Sequence, residues 1–256
     1  MASRWLYGAF LMDALINDYA TILTSLNINS FNLEEDKYSG VFLPVPFDEY
    51  WSSNLKIMLV GRETAGWNTD NNKNKINRVA DFVEKDKVCE LVCEATERYK
   101  KHLPVSKSGK VITKTRSRFK QYFFRLAKEL EVDPKSIIYA NLFAWDYNKK
   151  SPRTRPKNER EEIMSISKEL LAIQITHFKP DVVIFAAGFA GIDPVIKQLF
   201  NENFDGYRNK EVISRKFWEF EAADAMCFRI AHPRATHGHG EFREKVIHRI
   251  KACAAG

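Results

Sequence analysis

The fold is decided by a stretch in which an apolar run stops at a glycine, KIMLVGRETAGWN at residues 56–68. Ile57–Val60 is apolar throughout, which predicts a strand that is buried on both faces. Similar runs follow along the chain. The predicted strands are Leu55–Val60, Ser136–Ala140, Asp181–Ala187 and Met226–Ala231, with Phe217–Phe220 as one more beside the last. Helical patterns separate them, so we expect an α/β fold, a three-layer sandwich around a central, mostly parallel sheet of about four to five strands.

Composition describes a globular chain with an excess of positive charge. Of the 256 residues, 45% are apolar and 29% are charged, and the formal net charge is +7. A balance of this kind favours a polyanionic partner such as nucleic acid. We expect a monomer with one domain over 1–256, a helical N-terminal extension at 1–50 and a basic insertion at about 68–120.

The sequence predicts neither a membrane protein nor a secreted one. No apolar run reaches the roughly 18 residues that a membrane span needs. Trp5–Ile16 is apolar, but Asp13 interrupts it and its apolar spacing is helical, which indicates an amphipathic helix rather than a signal peptide. The four cysteines form no CxxC pair, so we expect a reduced, cytoplasmic protein without cofactors.

Basic segments flank the ends of the predicted strands. Lys101–Lys120 and Lys149–Arg160 are rich in lysine and arginine, and Thr69–Lys75 is a polar, Asn-rich loop. A charge run is usually a solvated face, but several runs near the same strand ends favour a surface that follows phosphates. The candidate DNA-binding residues are Lys114, Arg116, Arg118, Lys149, Lys150, Arg153, Arg234 and His237.

Polar side chains follow the predicted strands at the edge where α/β proteins bind ligands. Glu63 comes shortly after the first strand, Asn141 after the second and His232 after the last. Each has a structural alternative: Glu63 could cap a helix, Asn141 could satisfy a turn, and His232 could have a structural partner. Their coincidence at one edge favours a site that combines a carboxylate, an amide and an imidazole.

The motifs at these strand ends resemble those of the uracil-DNA glycosylase superfamily. In that family a strand leads into Gly-x-[Asp/Asn/Ala]-Pro-[Tyr/Gly], a later strand ends in Asn, and a last strand leads into His-Pro-Ser. The corresponding stretches here are GRETAG, YAN and AHPRA, and the segment ending in PDVVIFAAG is similar to the family's third strand. The resemblance covers about residues 55–250, and it depends on the order and spacing of short motifs.

The resemblance implies a monofunctional DNA glycosylase that acts on a flipped-out, deaminated or modified pyrimidine and leaves an abasic site. Glu63 would orient the attacking water and stabilise the sugar cation. His232 would donate a hydrogen bond to the departing base, and Asn141 would bind the base edge. No metal is required. The segment Arg234–Gly240 takes the place of the family's wedge loop.

The residues around these positions are expected to bind the substrate, and some depart from the family pattern. The substrate-binding candidates are Gly61, Arg62, Thr64, Ala65, Gly66, Trp67, Phe143 and Gly188. Thr64 replaces the usual proline, and Arg234 replaces the serine of His-Pro-Ser. Trp67, Phe119 and Phe143 are candidates for the aromatic that stacks on the base. Ala144 and Trp145 stand where one branch has cluster-binding cysteines, so no iron–sulfur cluster is expected.

Ala65 leaves the identity of the excised base open. Uracil-specific relatives have a tyrosine here that blocks substituents at the 5-position of the ring, and alanine makes room for them. The resemblance extends to relatives that remove glucosylated hydroxymethylcytosine from phage DNA as an antiviral defence. A uracil-specific repair enzyme is the alternative.

Two other classes of function compete with a glycosylase. His232, His237, His239 and Glu241 lie within ten residues, and their spacing would suit a metal-dependent hydrolase. The second alternative is a nucleic-acid-binding module that keeps the fold without the chemistry. Retention of Glu63, Asn141 and His232 in one chain favours catalysis.

Overall fold

The architecture follows a computed structural model that describes residues 2–67, 77–235 and 237–254. In chain order its helices and strands are α1 (Ala2–Thr24), α2 (Asp48–Ser52), β1 (Ile57–Gly61), α3 (Val88–Lys100), α4 (Arg118–Glu129), β2 (Ile137–Asn141), α5 (Lys157–Phe178), β3 (Val182–Phe185), α6 (Asp193–Asn203), β4 (Arg208–Ile213), β5 (Phe217–Ala222), β6 (Ala225–Ile230) and α7 (Gly240–Ala254). The Asn-rich stretch Thr69–Lys75 lies outside the described residues.

The chain divides into two compact units, each assembled from three separate stretches. The first unit comprises Met1–Val45, Glu63–His102 and Asn141–His177, and the second comprises Pro46–Arg62, Leu103–Ala140 and Phe178–Gly256. The organisation as one domain with an N-terminal extension and an insertion stays a prediction.

The sheet has six strands in the order β2-β1-β3-β6-β5-β4. β1, β3 and β6 run parallel, whereas β5 is antiparallel to β6 and β4 is antiparallel to β5. The α/β prediction is therefore confirmed, but the predicted number of strands was too low. β4 was missed because its residues, RNKEVI, lie at the open edge of the sheet and are mostly exposed, so no apolar run marks them.

Helices of the second unit cover both faces of its sheet. On one face Ile57, Ile184 and Phe228 pack with side chains of α4 and α7 in a single apolar cluster. On the other face the ring of Phe185 lies 6.0 Å from that of Phe200 in α6. Successive strand residues point to opposite faces, so an uninterrupted apolar run supplies both layers. Three layers are thus present, as the sequence predicts.

A buried ion pair fixes α6 at its first residue. Arg229 of β6 is only 1% exposed, and its Nε lies 2.7 Å from Oδ1 of Asp193, the residue that begins α6. Nη2 of Arg229 donates a hydrogen bond of 2.9 Å to Oδ2 of the same carboxylate. Because a cation in this position would be costly without its partner, the pair specifies where α6 docks on the sheet.

The first unit is built from helices and an extended segment. In α1 the side chains of Leu15, Tyr19 and Leu23 are buried, which agrees with an amphipathic helix. The N–H of Phe42 donates to the Ala144 carbonyl and that of Ser39 to the Asp146 carbonyl, both at 2.8 Å, so this extended segment runs beside the chain that follows β2. No helix among residues 2–67, 77–235 and 237–254 is long and apolar enough to cross a membrane.

Candidate functional site

A buried carboxylate holds the loop that follows β1. Asp146 is 1% exposed, and its Oδ2 accepts hydrogen bonds from the Thr64 hydroxyl at 2.6 Å and from the Gly66 N–H at 2.8 Å. The N–H of Trp67 lies 3.3 Å from the same oxygen. Three donors from four consecutive residues thus converge on one oxygen, and this fixes the backbone of the segment Thr64–Trp67.

Asp146 is in turn fixed by its own neighbours in the first unit. Its backbone N–H donates to the Ser39 hydroxyl at 2.9 Å, and its carbonyl accepts from the Ser39 N–H at 2.8 Å. Oδ1 accepts from the N–H of Lys149 at 2.9 Å. Asn148 and Lys149 have φ of 47° and 62°, so this turn is in the left-handed region. The carboxylate therefore ties the Glu63 loop to the basic turn at Lys149.

This arrangement explains the two most unusual residues of the GRETAG motif. Thr64 replaces the proline that the resemblance implies, and its hydroxyl donates to Asp146, which a proline side chain cannot do. Gly66 has φ of 87°, a conformation that glycine adopts without strain. Ala65, which lies between them, is exposed, and Glu63, which precedes Thr64, is half-buried. The loop is thus held from one side, with the small Ala65 side chain on its outer surface.

Trp67 lies between an aromatic ring and a cation. Its ring is 4.8 Å from that of Phe42, and the guanidinium of Arg98 lies 4.5 Å from its centroid. Burial lowers the pKa of Arg98. Phe143, another candidate for stacking on a base, is 0% exposed. Trp67 is half-buried, so of these two rings it is the more accessible.

Asn141 is the most unusual polar residue of the first unit. It is the last residue of β2, and its side chain is 5% exposed. Neither Oδ1 nor Nδ2 has a hydrogen-bond partner within residues 2–67, 77–235 and 237–254. Buried amides are normally hydrogen-bonded, because leaving such a group unpaired costs about 1–3 kcal/mol. An amide kept unpaired at this cost is suited to a ligand that presents a donor and an acceptor.

In the second unit, the carboxyl ends of three adjacent parallel strands present the remaining candidates. Gly61 ends β1 and Arg62 follows it; Gly188 follows β3, and His232 follows β6. Gly188 has φ of 92°, and its N–H donates to the carbonyl of Ile230 at 3.3 Å. The positive φ lets the chain turn away from the sheet directly beside the strand that leads to His232.

Backbone hydrogen bonds define the orientation and the tautomer of His232. Nδ1 accepts from the Arg234 N–H at 3.1 Å, and the His232 carbonyl accepts from the Ala235 N–H at 2.8 Å. The Arg243 guanidinium donates to the Ala235 carbonyl at 3.0 Å, which ties the turn to α7. With Nδ1 acting as acceptor, the proton of the neutral ring is on Nε2.

The surroundings of His232 keep it neutral. Burial, together with the cations Arg234 and Arg62, lowers the pKa of His232 to about 4. The ring of Phe119 lies 6.3 Å from the imidazole, and the ring of Tyr139 lies 4.8 Å from that of Phe119. His232 is therefore an uncharged hydrogen-bond donor at neutral pH, set in a positively charged, partly aromatic environment.

The predicted DNA-binding residues divide between the units. In the second unit Lys114, Arg116, Arg118, Arg234 and His237 are exposed. In the first unit Lys149 and Lys150 are exposed and Arg153 is half-buried. The segment Lys114–Arg118 leads into α4, whose second residue is Phe119, the aromatic neighbour of His232. Basic side chains thus accompany His232 in the second unit and the Asp146-anchored loop in the first.

Sequence reasoning missed Asp146 and Ser39. Asp146 lies five residues after Asn141 in NLFAWDY, where an acidic residue next to a tyrosine gives no sign that it is buried. A signal was available in Thr64, because a hydroxyl in place of the family's proline needs a hydrogen-bond acceptor.

The metal-site hypothesis at His237 and His239 has no support within the described ranges, where no group of three His, Cys, Asp or Glu side chains could hold a metal ion.

Comparison with known proteins neither supports nor contradicts the resemblance to uracil-DNA glycosylases. No protein-family model matches the chain, and no curated protein matches it. The likeness to uracil-DNA glycosylases stays a prediction based on the order of three short motifs.

Replacing Asp146 by asparagine should destabilise the protein. The asparagine side chain lacks the negative charge, and it places an N–H₂ donor where one carboxylate oxygen accepted hydrogen bonds. We therefore expect the free energy of unfolding to fall by about 2–4 kcal/mol. Urea denaturation measures this. Asp224→Asn is the matched control, because Asp224 is exposed and has φ of 58°, which asparagine tolerates. Equal stabilities for the two variants would contradict the assigned role of Asp146.

The imidazole of His232 should titrate far below the usual range of histidine. Its pKa of about 4 means that the ring is neutral throughout the range from pH 5 to 8. Histidine ring resonances followed by NMR against pH, and assigned with a His232→Gln variant, give the midpoint. The Arg234→Ala variant, which lacks a nearby cation, should have a higher His232 midpoint than the parent. The control variant Lys128→Ala, in the last turn of α4, should have the same midpoint as the parent. A midpoint between pH 6 and 7 in the parent protein would contradict the account.

Proposed function

We propose that the protein is a monofunctional DNA glycosylase that hydrolyses the N-glycosidic bond of a flipped-out, deaminated or modified pyrimidine. The observation that carries this proposal is the amide of Asn141, buried at the end of β2 with neither polar atom paired in the described part of the chain. An amide has a donor and an acceptor side by side, and so does the Watson–Crick edge of a pyrimidine.

Burial of Asn141 determines how the base must be presented. A side chain that is 5% exposed cannot reach a base that is still stacked in a duplex. The nucleotide therefore has to leave the stack, as it does in enzymes that carry out chemistry on a base. Uracil and cytosine both pair with an amide, one through O4 and N3–H and the other through N3 and N4–H, so Asn141 alone is compatible with either class.

The chemistry is a displacement of the base by water at C1′ of the deoxyribose. The oxygen of water forms a bond to C1′, the bond from C1′ to the base nitrogen breaks, and its electron pair leaves with the base. The carboxylate of Glu63 orients the water, accepts its proton and stabilises the cationic sugar. The products are an abasic site and the base, which leaves as an anion and takes up a proton from solvent while Glu63 releases to solvent the proton that it accepted, so no oxidant, metal or cofactor is needed to balance the reaction.

A neutral His232 suits the departing base. As the bond breaks, negative charge develops on a base carbonyl, and the Nε2–H of the imidazole is available to donate to it. Donors of this kind contribute about 3 kcal/mol to transition-state stabilisation. Because His232 stays uncharged, it stabilises the leaving group by a hydrogen bond rather than by giving up a proton, and the nearby Arg62 and Arg234 favour the anion further.

Ala65 favours a base with a substituent at the 5-position. The alanine is exposed, and the loop that carries it is fixed from its other side by Asp146. A modified cytosine, including the glucosylated hydroxymethyl form found in phage DNA, is therefore the preferred substrate class, and an anti-phage role follows if it is the substrate. Uracil is the alternative substrate.

An abasic-site assay on a panel of oligonucleotides tests the proposal. The panel contains uracil, hypoxanthine, hydroxymethyluracil, hydroxymethylcytosine and glucosylated hydroxymethylcytosine. We expect excision of at least one of these bases, with Glu63→Gln and His232→Ala each about 10²–10³-fold slower, because each removes a group that acts in the transition state.

Glu90→Gln is the matched control for the loss of a carboxylate, since Glu90 is exposed on α3 in the same unit as Glu63. Cleavage by folded Glu63→Gln and His232→Ala at the rate of the Glu90→Gln control would contradict the assigned roles. Tight binding of DNA without excision of any base in the panel would favour the non-catalytic module.

A further inference from the structure

The basic segment before α4 contains a β-hairpin, Pro104–Ile112, which belongs to the second unit. An antiparallel bridge joins Val105 to Val111. The N–H of Ser106 donates to the Lys110 carbonyl at 2.8 Å, and the N–H of Ile112 donates to the Pro104 carbonyl at 2.8 Å. Gly109 has φ of 79° and closes the turn at the tip. The segment is therefore a short hairpin held by one isolated β-bridge and the backbone hydrogen bonds on either side of it.

The base of this hairpin is anchored in the core of the second unit while its tip is exposed. Leu103 is 5% exposed and Val111 is partly buried, and both pack in the cluster that contains Phe119. At the tip, residues 107–110 are all exposed, and at the base Val105 and Ile112 also remain 53% and 42% exposed. The hairpin is thus joined to the same apolar cluster as the aromatic ring beside His232.

The charged residues of the hairpin and of the chain on either side of it are all positive. Residues 101–120 contain seven lysines and arginines and no aspartate or glutamate. Lys107 and Lys110 flank the tip and are exposed, and Lys114, Arg116 and Arg118 continue the positive charge to the start of α4. A narrow, exposed hairpin with lysines at its tip and no acidic residue nearby in the chain is complementary to an anionic, grooved partner.

We propose that the Pro104–Ile112 hairpin enters a groove of duplex DNA next to the target nucleotide, with Lys107 and Lys110 on the phosphates. The inference rests on the proposed function, because it takes DNA as the substrate. The major groove of B-DNA is about 12 Å wide and admits a two-stranded ribbon. The hairpin makes the enzyme prefer double-stranded substrates.

The composition of the hairpin favours a duplex over a single strand. Proteins that hold single strands use aromatic side chains on which unstacked bases lie. Residues 104–118 contain no aromatic residue, and their polar side chains are lysine, arginine, serine and threonine. These residue types contact phosphates and fix position on a duplex without reading its sequence. The hairpin therefore supplies affinity and orientation rather than recognition of the base.

The test compares two double variants of the full chain that each remove two positive charges. One is Lys107→Ala/Lys110→Ala at the tip of the hairpin. The matched control is Lys128→Ala/Lys251→Ala, in the last turns of α4 and α7. Binding to a duplex and to a single strand of the same sequence is followed by fluorescence anisotropy between 50 and 300 mM salt.

The hairpin variant should lose duplex affinity and salt dependence. The slope of log K against log salt should become shallower by about 1.8, since each lost phosphate contact contributes about 0.9. Single-strand binding should change by less than about twofold, and the control should leave both slopes unchanged. A duplex slope equal to that of the control, or an equal loss of affinity for single strands, would overturn the inference.

Excision measured on the same oligonucleotides separates this inference from the proposed function. Excision by the parent, combined with an unaltered duplex slope in the hairpin variant, would overturn the role of the hairpin alone. A shallower duplex slope without excision of any base would leave the hairpin as a DNA-binding element and overturn the glycosylase proposal alone.

Discussion

The geometry of the first unit depends on one buried carboxylate. Asp146 accepts hydrogen bonds from Thr64, Gly66 and Trp67, and Ser39 fixes its backbone from the other side. A buried charge is stable only when its oxygens are satisfied by donors, so the loop must adopt the one conformation that supplies them. Glu63 stands next to this loop in the chain, and its position is consequently set by a residue more than eighty positions away. The strength of charged hydrogen bonds makes such a loop rigid, which is what the role proposed for Glu63 requires.

In the second unit, burial and nearby positive charges determine the protonation state of His232. Burial opposes the protonation of His232 and lowers its pKa, and the cations Arg234 and Arg62 act in the same direction. Under the proposed function the same cations would also attract the phosphates of DNA. The surplus of positive charge in the whole chain, +7, extends this field. The basic residues beside His232 therefore add to the effect of burial in keeping the imidazole neutral.

The sequence was informative wherever a local pattern had one physical cause. Uninterrupted apolar runs predicted the buried strands, since only a strand covered on both faces needs them. β4 was not predicted, because an exposed edge strand such as RNKEVI consists mostly of polar residues and has no apolar run. The segment Lys101–Lys120 was predicted only as part of a basic insertion, although the Ser-Gly pair at 108–109 is a turn signal and lies at the tip of the hairpin.

The burial of Asp146 could not be predicted, because burial of an acidic residue depends on donors that lie far away in the chain. The unpaired amide of Asn141 was equally hidden. The sequence placed an asparagine at a strand end, but only the three-dimensional contacts distinguish an amide that satisfies a turn from one without a partner among the described residues. The unpaired amide of Asn141 is therefore the observation on which the hypothesis of base recognition is built, beyond the three short sequence motifs.

The most direct test of the account is a crystal structure of the Glu63→Gln variant with DNA that contains the base it would excise. The account predicts an extruded nucleotide whose base edge lies within hydrogen-bond distance of both Oδ1 and Nδ2 of Asn141. A base that remains stacked in the DNA, or an Asn141 amide bonded only to protein groups in the complex, would contradict it.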